Sequence, residues 1–278
     1  MSGLILLASY PKSGNTWMRL VLETLRREGQ RPALDALGIE SAAARLRYDQ
    51  ALDIETSDLS PLEIARARPW VSAQCRAAAD GRILKMHDAN LTPPGAAGPP
   101  FDPGAVDRVL YIVRDPRDVA LSFARHFGFS LDQAVASLAD TAFWMGRSET
   151  GLNPNLEQFL SSWSRHVESW LDAPGLTILC LRYEDLLQAP LESFAAAARF
   201  FGLPADADLL GRAVDACAFA ALAAEERALG FRERHWDAAA PFFYRGRAGA
   251  WREGLPAALV EAIGRDHGPV MRRLGYEA

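Results

Sequence analysis

Four short stretches of this 278-residue chain carry residue types and spacings suited to chemistry on an anion. The first is Tyr10-Pro11-Lys12-Ser13-Gly14-Asn15-Thr16-Trp17, which follows the apolar run Leu4 to Ala8 and precedes a helical pattern. A loop joining a buried strand to a helix aims backbone N–H groups outward at the positive end of a helix dipole, which is an anion site. Lys12 adds a full charge, Ser13, Asn15 and Thr16 add donors, and Gly14 allows close backbone approach. The alternative is a lysine on a capped helix start, with Ser13 or Asn15 as the cap.

The second stretch is Arg114-Asp115-Pro116-Arg117-Asp118 at the end of the apolar run Val109 to Val113, with Ser122 eight residues beyond Arg114. A guanidinium at a strand end suits phosphate because its planar fork donates bidentately; the alternative is a capped helix start with local ion pairs. The third is Leu84-Lys85-Met86-His87, a strand ending in an imidazole able to take a proton near neutral pH. The fourth is Phe242-Phe243-Tyr244-Arg245-Gly246-Arg247-Ala248-Gly249-Ala250-Trp251, cationic and glycine-rich, whose alternative is a plain surface loop. His126, His166, His235 and His267 stand in no such context and are read as structural or solvated.

These residues must be held by an alternation of strands and helices. Leu4 to Ala8 is apolar without alternation, as in a strand buried on both faces of a parallel sheet. From Asn15, Trp17, Met18, Val21, Leu22 and Leu25 recur at helical spacing to about Gly29. Further strands are expected at Arg82 to Met86, Val109 to Val113 and Leu176 to Leu181. Helices are expected from Pro116, which suits a first helical turn, and over Gln158 to Leu171, Leu191 to Phe201 and Leu255 to Leu274. The pattern predicts an α/β fold, one domain over residues 1–278, with a mostly parallel central sheet flanked by helices. Thr92 to Gly104 is too rich in proline and glycine for regular structure. Arg45 to Ala79 and Phe129 to Asn155 read as variable loops that, with Thr92 to Gly104, would shape a pocket for a second substrate.

Composition narrows the class. With 49% hydrophobic and 23% charged residues the chain is globular, and a net charge of -5 argues against a general nucleic-acid binder. Cys75, Cys180 and Cys217 lie far apart without metal-ligand or disulfide spacing, as expected of a cytoplasmic protein, and no run reaches membrane-spanning length. No cluster of residues reads as a metal site.

The lysine precedes its glycine in the first stretch, unlike the G-x-x-x-x-G-K-[ST] nucleotide loop. The order resembles instead the Y-P-K-S-G-x-T-W signature of the sulfotransferases that use 3′-phosphoadenosine 5′-phosphosulfate (PAPS), of the cytosolic and bacterial type. Arg114 with Ser122 is similar to that family's pair on the 3′-phosphate, Lys85-Met86-His87 to its K-T-H element, and the fourth stretch to its R-K-G-x-x-G-D-W lid segment. The matches keep family order over nearly the whole chain. Two departures stand out, Tyr244 where the family has a basic residue and Ala250 where it has an acidic one.

The resemblance implies a phosphosulfate site at Lys12, Ser13, Gly14, Asn15, Thr16 and Trp17, and a 3′-phosphate site at Arg114, Ser122, Arg245 and Gly246. It places Trp17, Tyr183 and Phe219 around the adenine. It implies His87 as base, with Lys12 and Lys85 on the transferring group, PAPS as donor, its desulfated form PAP as product, and no metal. The acceptor would be the hydroxyl or amine of a small molecule, natural product, lipid or saccharide. A P-loop kinase, with Asp115 as its acidic strand end, and a non-catalytic PAPS- or PAP-binding protein are the alternatives.

Overall fold

The computed structural model describes residues 3–77, 82–147, 151–234 and 241–277. In chain order the strands and helices are β1 (Leu4–Ser9), α1 (Asn15–Arg26), α2 (Arg45–Leu52), α3 (Pro61–Ala77), β2 (Ile83–Met86), β3 (Val106–Val113), α4 (Pro116–Phe127), α5 (Leu131–Ala139), β4 (Trp144–Met145), β5 (Gln158–Phe159), α6 (Trp163–Leu171), β6 (Thr177–Arg182), α7 (Tyr183–Gln188), α8 (Pro190–Phe201), α9 (Ala207–Ala216), α10 (Phe219–Leu229), α11 (Trp251–Gly254) and α12 (Ala257–Arg273). The fold is α/β, with a four-stranded central sheet in the order β2-β1-β3-β6. Strands β1 and β2 pair in parallel, Leu7 opposite Lys85 and Ala8 opposite Met86.

The chain forms two compact units. The first takes residues 1–10, 40–111 and 139–180, and so carries β1, β2 and most of β3 and β6. Its core is the wholly buried β1 with Ile83, Leu84, Val109, Leu110, Trp163, Val167 and Trp170. Burial on both faces explains why Leu4 to Ala8 shows no alternation. The second unit takes residues 11–39, 112–138 and 181–278. There α1 packs on α8 and α9, and α4 on α11 and α12, around Met18, Leu22, Val119, Phe123, Phe194, Leu210 and Met271.

The expected strands are present within a residue or two, apart from β3, which starts three residues earlier at Val106. Helix α4 opens as its sequence implies. Pro116 occupies the first turn, and the Asp115 side chain accepts from the Arg117 N–H at 2.9 Å. Two expectations need correction. Gln158 and Phe159 belong to β5, paired antiparallel with β4, and α6 starts only at Trp163. Ser161 at φ 57° breaks the chain direction, and Ser162 caps the helix by accepting from the Arg165 N–H. The span read as a loop from Arg45 to Ala79 holds two helices, and that from Phe129 to Asn155 holds α5. Proline at position 69 inside α3 disguises the first. Among the described residues no helix is long and apolar enough to cross a membrane.

Candidate functional site

In the second unit the signature loop is built by unusual backbone rather than by capping. Lys12 has φ 69° and Gly14 φ 102°, and Gly14 stands as the N-cap of α1 with no side chain bonded to the helix N–H groups. The capped-start reading is therefore wrong for Ser13 and Asn15. Ser13 is fully buried and its Oγ has no hydrogen-bond partner among the described residues. A Cβ on Gly14 would meet Tyr183 Cδ2 at 2.6 Å, so the loop backbone lies directly against that ring.

Arg114 braces the same loop. It donates from Nη1 to the Lys12 carbonyl at 3.1 Å and from Nη2 to the Arg247 carbonyl at 3.2 Å, and it sits 4.4 Å from the centre of the Tyr183 ring. The local ion pair anticipated for Arg114-Asp115-Pro116-Arg117-Asp118 exists, but between Asp115 and Arg117, leaving Arg114 to the loop. Trp17 meets Tyr183 edge-on at 6.2 Å and Phe194 at 5.0 Å. Lys12 Nζ rests 3.8 Å over the Phe242 ring.

The fourth stretch is fastened to this unit by two carboxylates. Asp118 accepts from the Gly249 and Trp251 N–H groups at 2.7 and 2.9 Å, and Glu226 accepts from those of Phe242 and Phe243 at 2.6 and 2.9 Å. Burial raises the Asp118 carboxyl above its usual range despite Arg114 and these two N–H donors. Gly246 has φ 58°, and a Cβ there would collide with the Phe219 ring at 2.2 Å. Loop, Arg114, Tyr183, Arg245, Gly246 and Phe219 thus belong to one unit, with Ser122 along α4.

Ser13 Oγ, Trp17 Nε1, Arg114 Nε and Arg245 Nη1 are buried donors without a protein acceptor among the described residues. Such atoms are rare in folded proteins, and Ser13, Trp17 and Arg114 with Arg245 stand in stretches that the sequence marks for an anionic nucleotide. The residues therefore fit PAPS. One participant has no signal in the sequence. Glu233 accepts from Thr16 Oγ1 at 3.1 Å and pairs with Arg19 Nη1 at 2.6 Å, while Arg19, 2% exposed, also donates from Nε to the Ile39 carbonyl. No motif marks Glu233, because its partners lie over 200 residues earlier.

In the first unit, His87 lies just past the end of β2 and is nearly buried. Its Nδ1 is 2.8 Å from the Ser9 carbonyl oxygen and 3.3 Å from Ser9 Oγ. A carbonyl only accepts, so Nδ1 carries the hydrogen and Nε2 of the neutral ring keeps a lone pair. The backbone of His87 is held too. Burial pushes the His166 imidazole down to about 4, so it is neutral, with one donor and one acceptor nitrogen. His166 Nε2 donates to the His87 carbonyl at 2.9 Å, and Nδ1 accepts from the Tyr111 hydroxyl at 2.9 Å. His166 is the buried structural histidine that its sequence context implied, and so is His267 at 1% exposure; His235 lies outside the described residues. Lys85 lies on β2, its N–H bonded to the Glu40 carbonyl. Asp88, next in sequence after His87, is locked by Arg68 at 2.8 Å and by the Phe159 N–H at 2.9 Å.

Comparison with known proteins agrees with the family resemblance. The family model for the sulfotransferase domain matches residues 3–275. Rabbit sulfotransferase 1C2 is 24% identical over 259 residues, covering 91% of this chain and 78% of the relative. Among solved structures, retinol dehydratase in complex with androsterone and the inactive cofactor PAP has a TM-score of 0.63 at 17% identity, over 96% of this chain and 80% of that one. Mouse sulfotransferase SULT7A1 complexed with PAP has a TM-score of 0.61 at 16% identity, over 98% and 85%. The kinase alternative finds no support in these matches. With its lysine-first loop, its order of motifs and a family match across nearly its whole length, the chain belongs to the sulfotransferase-domain family, whose reaction is sulfuryl transfer from PAPS.

Proposed function

We propose that this chain is a cytoplasmic enzyme of the family's cytosolic and bacterial type that, as a single functional domain over residues 1–278, transfers the sulfuryl group of PAPS to a hydroxyl or amine of a small-molecule acceptor. The observation that carries the donor assignment is the uncapped N-terminus of α1, with the buried, unpartnered Ser13 Oγ beside it. An anion there meets the N–H groups of the first helical turn, the helix dipole and Lys12 together.

Each residue then has a task. Lys12, Ser13, Gly14, Asn15, Thr16 and Trp17 hold the 5′-phosphosulfate; Arg114, Ser122, Arg245 and Gly246 hold the 3′-phosphate; Trp17, Tyr183 and Phe219 flank the adenine. His87 Nε2 takes the acceptor's proton as the acceptor atom bonds to sulfur and the bond from sulfur to the bridging oxygen breaks. Lys12 stabilises the electron pair that leaves on that oxygen, a charge larger in the transition state than in the ground state. Lys85 serves as a second cation for the sulfuryl oxygens. Androsterone and retinol, each present in a solved complex of retinol dehydratase with PAP, support a small-molecule acceptor, and natural products, lipids or saccharides with a free hydroxyl satisfy the same chemistry.

Calorimetric titration with PAP in chelator, against ATP with Mg²⁺, tests the donor site. Tight metal-independent PAP binding that Lys12→Ala or Arg114→Ala abolishes is the expected result; preference for Mg-ATP would refute it. For the base, His87→Ala is expected to lose about 10²-fold or more in turnover with PAP affinity kept.

A further inference from the structure

Two guanidinium groups of the second unit are drawn to one ring. Arg125, on α4, lies 3.7 Å from the centre of the Tyr244 ring and Arg245 lies 5.4 Å from it. Among the described residues neither is in an ion pair, and Arg245 Nη1 is a buried donor without an acceptor. Burial first, and the charge of Arg245 as well, holds the Arg125 guanidinium below its ordinary range. Glu253, the carboxylate that acts on Arg245, is ion-paired with Arg247. Like charges that converge without an ion pair of their own cost free energy unless an anion joins them, and guanidinium forks match the oxygens of phosphate or sulfate. Arg125 is three residues beyond Ser122 on the same helix, so the two side chains occupy neighbouring positions on its surface.

We propose that Arg125 is a nucleotide-binding residue of this chain, which with Arg245 and Ser122 grips the 3′-phosphate of the donor. Tyr244 is then a platform. It stands where the lid segment departs from the family's basic pair, and its ring holds the guanidinium of Arg125 by a cation–π contact, so the second cation comes from α4. The inference rests on the donor reading given above.

The test compares two nucleotides that differ only in the group concerned. Adenosine 3′,5′-bisphosphate and adenosine 5′-monophosphate are titrated calorimetrically into the full chain, wild type and Arg125→Gln. Wild type is expected to prefer the bisphosphate. Arg125→Gln is expected to weaken the bisphosphate about tenfold and the monophosphate less than about twofold, shrinking that preference. Arg125→Lys, which keeps charge and stem but not the fork, is expected to fall between and guards against misfolding of the glutamine variant. If wild type binds neither nucleotide, the donor reading itself fails. If wild type prefers the bisphosphate and Arg125→Gln keeps the full preference, only the role of Arg125 is overturned. That role is also overturned if the variant instead raises the KM of an anionic acceptor alone, because the pair then serves the other substrate.

Discussion

His166 Nε2 donates a 2.9 Å hydrogen bond to the main-chain carbonyl of His87, so one buried histidine fixes the backbone of another. Tyr111 closes the chain from the other side by donating to His166 Nδ1 at 2.9 Å. His166→Phe preserves the ring volume but leaves that carbonyl and the Tyr111 hydroxyl unbonded. We expect a loss of about 1–3 kcal/mol in stability and about tenfold in kcat, with the KM for the donor unchanged. His166→Gln, whose amide nitrogen reaches the Nε2 position, is expected to restore most of the kcat. Steady-state kinetics decide the matter: a His166→Phe enzyme with full kcat would make the contact structural only.

Acid stability follows from the same histidine. Burial lowers His166 from 6.5 to about 4, so the unfolded chain binds the proton first as pH falls. The contribution is fully present above about pH 6.5 and is lost as pH falls toward 4. For His166 this amounts to about 2 kcal/mol between pH 7 and pH 5. His267, also lowered by burial to about 4, adds in the same direction. Asp118 and Glu184, raised by burial, act with the opposite sign as pH falls, so urea unfolding is best compared between parent and His166→Gln, whose profile should be flatter.

Two glycines should resist even alanine. Gly14→Ala puts a Cβ against Tyr183 at φ 102°, and Gly246→Ala puts one into the Phe219 ring at φ 58°. Each is expected to cost about 1–3 kcal/mol of local strain and to weaken PAP binding at least tenfold. Calorimetry with thermal melts will show whether affinity falls more than stability, as displacement of the loop requires.

Asp118→Asn tests what fastens the Gly249 to Trp251 turn. One carboxylate oxygen becomes an amide that cannot accept, so one of the two N–H groups loses its partner. The expected result is faster hydrogen exchange at Gly249 or Trp251, whichever N–H faces the new amide, a stability loss of about 1–3 kcal/mol and weaker PAP binding. Unchanged exchange would show that the turn is held by other contacts.

Much of the site is legible in the sequence because its signals are local. The strand-loop-helix at Leu4 to Arg26 shows a change of hydrophobic period across a glycine loop, and Pro116 marks the start of α4 by the chemistry of a first helical turn. The helices α2 and α3 are not, because Pro69 reads as a breaker and neither carries a clear apolar stripe. Gln158 reads as helical because two strand residues and the helix that follows share a continuous pattern, which Ser161 interrupts through its backbone geometry and Ser162 through its side-chain cap.

The order of residues by itself determined the α/β alternation, the lysine-first loop, the histidine at the end of β2 and the arginine at the end of β3. These depend on neighbours a few positions apart, and short-range periodicity and turn chemistry report them directly. Folding alone decided that Arg114 braces Lys12 while Asp115 takes Arg117, that Glu233 reaches Thr16, that Arg125 meets Arg245 at Tyr244, and that His166 holds His87. Most of these partners are dozens to hundreds of residues apart, and between Arg114 and Arg117 several pairings are open. Burial then selects which polar groups meet, because a buried donor or acceptor left without a partner carries a desolvation cost that the folded chain minimises.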